Sequence, residues 1–424
     1  MQQSQSLAKP QLLTSLYPWI LWLLASSFLF YKYLLQVSPS VMTSDLMSYF
    51  SLSGQQLGHL AACYFYAYLL MQLPSGVLLD RINIRLLLPA AIMICAMGAF
   101  VFAKAEYWWV AGFGRILVGL GGAFSAVGAM KLISMWFPGE RFALMSGLMM
   151  TVGMLGAVGG QVPLAHFVTL VGWQSALLWC CGIGAVLAVT IALAMREPSD
   201  TPTTEVRQTW SALWTGVKAI IANPQSWLVS IYAGFAFAPI SAFAGLWGVP
   251  FLSLKLDLPQ ATAAGYVSLV FVGFALGCPL SGWWSDRIGK RKPLMQIGTV
   301  LGLLCLMMVI YMPVHSELLY EILLFGFGFF TSFFFISFAL IRELNPLWLS
   351  GTAIGFINSF DFGAVSEPAI GGILDKLWDH QLVDGVRQFT LENYHVALLL
   401  LPLSMLVAIV LLLWVKETHC EVAQ

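Results

Sequence analysis

Residues 76–85 read GVLLDRINIR and residues 282–291 read GWWSDRIGKR. Asp, Glu, Lys and Arg make up only 9% of the 424 residues, yet one Gly-x-x-x-Asp-Arg-x-x-x-Arg cluster occurs twice. Gly76 and Gly282 lie 206 positions apart, close to half the chain. A charged signature repeated at that interval in so apolar a sequence marks an internal duplication, and its apolar surroundings say what the repeated unit is.

Hydrophobic residues account for 59% of the chain and the mean hydropathy is +0.83. Soluble domains are about 45–50% apolar and about 25% charged, so the solvent for this surface is lipid. Runs long enough to cross a bilayer, roughly 20 apolar residues each, fall at 18–42, 57–79, 86–104, 108–133, 143–166, 172–195, 226–252, 262–284, 293–313, 316–341, 350–374 and 394–415. The expectation is an all-α polytopic membrane protein with twelve spans. A cytoplasmic tail (1–17) precedes a six-helix bundle (18–195), a cytoplasmic linker (196–225), a second bundle (226–415) and a cytoplasmic tail (416–424). The linker is the long polar interruption, with a short surface helix expected around Trp210–Ile221.

Orientation follows from the basic residues. With the N-terminus inside, fourteen Lys and Arg, including Lys131 at an inner helix end, fall on the cytoplasmic side; Lys104, Lys255, Lys376 and Arg387 fall outside. That bias predicts both termini in the cytoplasm. The first span, preceded by a polar tail carrying only Lys9, reads as a retained helix rather than a cleaved leader. The 20 basic and 20 acidic residues balance, which gives no electrostatic case for nucleic acid. The seven cysteines form no metal or disulfide pattern, and neither cofactor nor metal is expected.

Each Asp-Arg cluster ends the second helix of its half, so the two units share one orientation. Parallel repeats of this kind build one large transporter architecture, with the substrate site between the halves near mid-membrane. The motifs resemble those of the major facilitator superfamily. Gly76, Asp80, Arg81 and Arg85 match its loop signature, with Asn83 where the family has Gly, and Asn tolerates a left-handed turn. The second copy, Gly282, Asp286, Arg287, Gly289, Lys290 and Arg291, is more complete. Arg115-x-x-x-Gly119-x-Gly121 in span four and Gly153, Gly156, Gly159, Gly160 and Pro163 in span five resemble two further family elements. The stretches YAYLLMQLPSGVLLDR and GLWGVPFL are similar to bacterial metabolite carriers of the superfamily, phagosomal nutrient transporters among them.

The resemblance implies a cytoplasmic gate in which Asp80 caps helix eleven and Asp286 caps helix five, the acid meeting the positive helix start. Glycine costs about 1 kcal/mol against Ala inside a helix, so the run in span five implies close packing, read here as packing on a helix of the other half. Gly248 and Pro250 are expected to bend helix seven into an outer gate.

Charges buried in lipid mark pathways, because each costs at least about 2.5 kcal/mol at the bilayer centre. Lys32, with Gln36 one turn on, lies mid-span in helix one; Arg115 lies in helix four; Asp361, with Asn358 at i−3, and Glu367 lie in helix eleven. On a continuous helix Glu367 stands about 9 Å further out and on another face. Tyr64 and Tyr68 share a face of helix two and reach toward the cavity. Lys32 and Asp361 are expected to hold the two ends of a zwitterion, with Asp361 also suited to carry a proton. Arg115 reads as an electrostatic partner or a second anion ligand.

The composition and motifs point away from an enzyme. There is no His-Glu-x-x-His, Gly-x-Ser-x-Gly or phosphate-loop signature. A non-transporting sensor is the other class, and it would want a soluble domain. The reading is a secondary transporter in a bacterial inner membrane, working as a single chain. It would move an amino acid or similar small polar metabolite with protons, by symport or antiport. The alternatives are an organic anion, a drug or a siderophore.

Overall fold

A computed structural model describes residues 16–137, 139–195, 217–313, 316–346, 350–383 and 386–420. Ten segments are long and apolar enough to cross a membrane. They are α1 (Tyr17–Val41), α3 (Ile84–Ala103), α4 (Trp108–Trp136), α5 (Met145–Val171), α6 (Trp173–Ala194), α7 (Pro224–Leu256), α8 (Gln260–Ile288), α9 (Lys292–Tyr311), α10 (Glu317–Glu343) and α12 (Leu391–Trp414). The second and eleventh sequence spans are occupied by α2 (Gly54–Arg81) and by α11, which is broken into Ser350–Asn358 and Gly363–Lys376. The only strands among the described residues are β1 (Leu382–Val383) and β2 (Val386–Arg387), an antiparallel pair in the loop after α11.

Local chemistry sets the helix ends. Ser53 and Gln56 form a reciprocal capping box at the start of α2. Asn83 caps α3, its side-chain oxygen accepting from the Arg85 N–H at 2.8 Å. Its φ is −55°, so the departure from Gly is accommodated by capping and not by the left-handed turn expected of it. In the second copy Gly289 does adopt φ +68° and closes α8.

Three of the breaks inside spans bear on the site. Residues Ile240–Trp247 of α7 are π-helical, which places the distortion ahead of Gly248 and Pro250; Gly248–Leu256 is regular helix. Helix α5 breaks at Gly160–Gln161 before resuming at Val162–Val171, with Pro163 in its first turn, where a missing N–H is harmless. Helix α11 breaks between Asn358 and Gly363, so Asp361 sits in a non-helical elbow. The facial arguments from a continuous helix therefore do not hold for Asn358, Asp361 and Glu367.

The glycines of α5 pack within their own half. A Cβ on Gly153 would meet Leu29 and Tyr33, one on Gly156 the backbone of Phe30, one on Gly159 the Phe30 ring, and one on Gly160 Leu34 and Val37. Their partner is α1, which corrects the expectation of a helix from the other half. Small residues allow such backbone approach in lipid, where close packing and not hydrophobicity holds helices together.

Candidate functional site

Lys32 lies mid-way along α1 and is 2% exposed. Its ammonium stands 3.6 Å from the centre of the Tyr33 ring, 4.6 Å from Tyr68 and 5.6 Å from Tyr64. Tyr64 and Tyr68 are stacked, 5.5 Å apart at 19°, because they follow one another by four residues on α2. Aromatic faces attract a cation, more strongly where water is excluded. No acid lies within the 4.0 Å ion-pair distance of Lys32 among the described residues. Asp361, in the other half, is the acid whose charge acts on it.

Asp361 is held by the α11 elbow. Its Oδ1 accepts from the Gly363 N–H at 2.8 Å and from the Ser241 hydroxyl at 3.1 Å. Oδ2 has no partner among the described residues. Ser241 lies in the π-helical part of α7, a distortion often found at functional sites. Sequence reading missed Tyr33 and Ser241; Tyr33 adjoins Lys32 in the chain, but Ser241 carries no signal of its own.

Arg115 is 1% exposed and already engaged. Its guanidinium donates to the carbonyls of Leu35 (2.7 Å), Gln36 (3.0 Å) and Ala61 (3.2 Å). The cause is Pro39, which lacks the N–H that Leu35 would otherwise bond; α1 turns 3₁₀ there. Arg115 ties α4 to α1 and α2, and its Nε–H is buried without a partner. Gln36, one turn beyond Lys32, is buried beside that tie.

Glu367 belongs to another place, the seam that joins the halves at the end distant from the chain termini. There Gly54 and Gly58 of α2 meet Gly371, Glu367 and Pro368 of α11 without room for a Cβ. The Gln161 amide donates to Ala244 of α7 at 3.0 Å and its oxygen accepts from Ser40. Asp375 at the end of α11 accepts from the Gly54 and Gln55 N–H groups.

The opposite end carries both termini. A Cβ on Gly76, Gly147, Gly282 or Gly351 would meet nothing within 4 Å. Among the signature residues there, Arg85 is exposed and Arg287 lies over Trp283 at 5.3 Å. Asp286 pairs with Arg291 at 2.5 Å; the start of the helix that the resemblance has it cap lies outside the described side chains. Arg291 also forms a buried pair with Glu343 at 2.7 Å. The tail joins this cluster: Glu417 accepts from the Arg291 and Lys292 N–H groups at 2.9 and 2.8 Å. The side chains of Asp80 and Arg81, and so the cap on α11, lie outside the described residues, as do residues 210–216 of the linker helix. Lys131 donates to the carbonyl of Leu79.

Two half-bundles that meet at a close-packed seam, with a buried cation from one half and an acid from the other between them, suit a membrane transporter. A family profile described as "Major Facilitator Superfamily" matches residues 20–366 and 269–420. The chain belongs to that superfamily. It is 22% identical to the probable galactarate/D-glucarate transporter GudP of Escherichia coli strain K12, over 80% of this chain and 82% of that protein. It is 24% identical to the lysosomal dipeptide transporter MFSD1 of Danio rerio, over 92% and 85%. The crystal structure of a bacterial homolog of the human lysosomal transporter Spinster, inward-facing and unoccupied, superposes with a TM-score of 0.71 at 16% identity, covering 94% of this chain and 95% of that one. That likeness concerns the fold.

Proposed function

We propose that the chain carries a small carboxylate-bearing metabolite, an amino acid or a close relative, between two bundles at 18–195 and 226–415. The observation that carries this is the Lys32 ammonium, buried among three tyrosines with no acid in contact. An unpaired buried cation is costly, and a substrate carboxylate would relieve it. The free Oδ2 of Asp361 then accepts from the substrate's other end, an ammonium or a hydroxyl. Charges of opposite sign in the two halves suit a zwitterion, and a substrate held by both would draw the halves together. Both relatives named above transport molecules that contain a carboxylate.

Asp361 serves as the proton carrier when no cationic group occupies it, so a diacid would travel with a proton there. The excess of basic residues at the termini end supports its lying in the cytoplasm of a bacterial inner membrane. Asp80, Arg81, Arg85, Asp286, Arg287 and Arg291 then close the cytoplasmic end when the halves rock, and a single chain suffices. Uptake into proteoliposomes of amino acids, dipeptides and sugar acids, with and without a proton gradient, tests the reading. Asp361→Asn should abolish amino-acid uptake while leaving diacid binding. If no carboxylate binds, or if Lys32→Ala transports normally, the reading is wrong.

A further inference from the structure

Of the two buried acids among the described residues, Glu343 pairs with Arg291, whereas Glu367 meets no cation within ion-pair distance. It is 1% exposed, and its Oε2 is sealed from solvent without a hydrogen-bond partner. No Lys, Arg or His nitrogen among the described residues comes within 4.0 Å. Its backbone is part of the seam: its carbonyl accepts from the Trp247 indole at 3.0 Å, and its backbone lies against Gly58 of α2. The side chain faces Gly245 of α7.

The groups around it can be named. Arg115 of α4 and Asp361 of its own helix are the charges that act on it. Cys63 and Tyr66 of α2 are titratable neighbours, and His59 of α2 is bonded to Tyr66 and lines a cavity with Pro368. The π-helical segment ISAFAGLW brings none. Arg115 donates to three backbone carbonyls and its Nε–H is left without a partner; it comes no closer to the carboxyl than the 4.0 Å ion-pair distance. A carboxylate sealed off without a counter-ion or donor is strongly disfavoured. The same group becomes wettable once α2 leaves α11, because residues of both halves form its walls.

We infer that Glu367 is a proton-binding site built into the seam, occupied while the seam is shut and emptied into water when it opens. The proton is taken from water by the Glu367 carboxylate as the seam closes and is returned to water as it parts; no other bond changes. This site is separate from the Lys32–Asp361 pair, and the inference stands whatever the substrate. It makes seam closure pH-dependent: the shut form binds one more proton, so acid favours it. Opening should grow by up to about tenfold per pH unit across the titration.

Hydrogen exchange at residues 54–58 of the full chain in lipid nanodiscs, corrected for intrinsic rates, reads the seam directly. From about pH 5 to about pH 8, protection in the wild type should fall. In Glu367→Gln, which mimics the protonated form, it should stay high and lose its pH dependence; in Asp361→Asn the dependence should remain. A hidden ion pair with Arg115 predicts the reverse, with acid loosening the seam and Glu367→Gln opening it, and so does control by Asp375. Either of those results, or a flat wild-type profile, overturns the inference. If Glu367→Gln does not fold, His59→Ala decides: the wild-type profile kept there supports the inference, and its loss there overturns it.

Discussion

Asp375 and Gly54, 321 residues apart in sequence, meet at the seam: the Gly54 N–H donates to Asp375 Oδ1 at 2.8 Å, and the next N–H, of Gln55, donates to Oδ2 at 2.8 Å. An acid from α11 thus caps the first turn of α2, where unpaired N–H groups and the helix dipole favour negative charge. Arg387 in β2 holds the same carboxylate at 3.0 Å. The resemblance placed such an acid-to-helix cap at the termini end; the structure shows one at the other end.

Removing that cap should loosen the seam. Helix caps contribute about 1 kcal/mol, so Asp375→Ala should raise the open fraction about fivefold. Faster exchange at residues 54–58 would show it, and no change would mean that glycine packing alone holds the seam.

Lys32 has a sharper expectation. Lys32→Met keeps the stem and deletes the charge, so carboxylate binding should weaken by a factor of about ten or more, as expected for a charged hydrogen bond. Titration of thermal shift with the best-binding metabolite measures this. Because the native lysine is buried without an acid in contact, the unliganded variant should melt no lower than the wild type.

Paired glycines give a contrast in stability. Gly156→Ala drives a methyl group into the Phe30 backbone and should cost about 1–3 kcal/mol, as overpacking does. Gly76→Ala enters open space in this conformation and should leave the melting temperature unchanged. Its effect belongs to the opposite conformation, so slowed turnover at unchanged stability is the expected result.

The cluster at the termini end predicts a response to acid. Burial works against ionisation of Glu417, but four backbone N–H groups, of Arg291, Lys292, His419 and Thr418, outweigh it and hold its carboxyl below the usual 4.5. A depressed carboxyl stabilises the docked tail above its unfolded value and loses that contribution as pH falls through the folded one. The tail at 415–420 should therefore stay docked at neutral pH and be released only below about pH 4. Protease sensitivity of the tail against pH would reveal this, and release already near neutrality would contradict it. Arg291→Ala strands Glu343 and should cost about 3–5 kcal/mol locally, as breaking a buried pair does.

The sequence alone determined the solvent, the duplication, the superfamily and which ionisable groups lie within the spans. Each of these is written in composition or in a short local pattern: an apolar run long enough for a bilayer, or Gly-x-x-x-Asp-Arg at half-chain spacing. Lys32 and Asp361 stood out because an ionisable group in hydrocarbon is expensive wherever it occurs. Only the tertiary structure decided what each charge faces. The partner of the α5 glycines, the service of Arg115 to the carbonyl that Pro39 leaves unbonded, and the elbow that frees Asp361 from its helix depend on how distant segments cross. So does the separation of Glu367 from the central site. A lone polar residue such as Ser241 or Gln161 carries no local signature of its role, because that role is set by a neighbour more than a hundred residues away or in the opposite half.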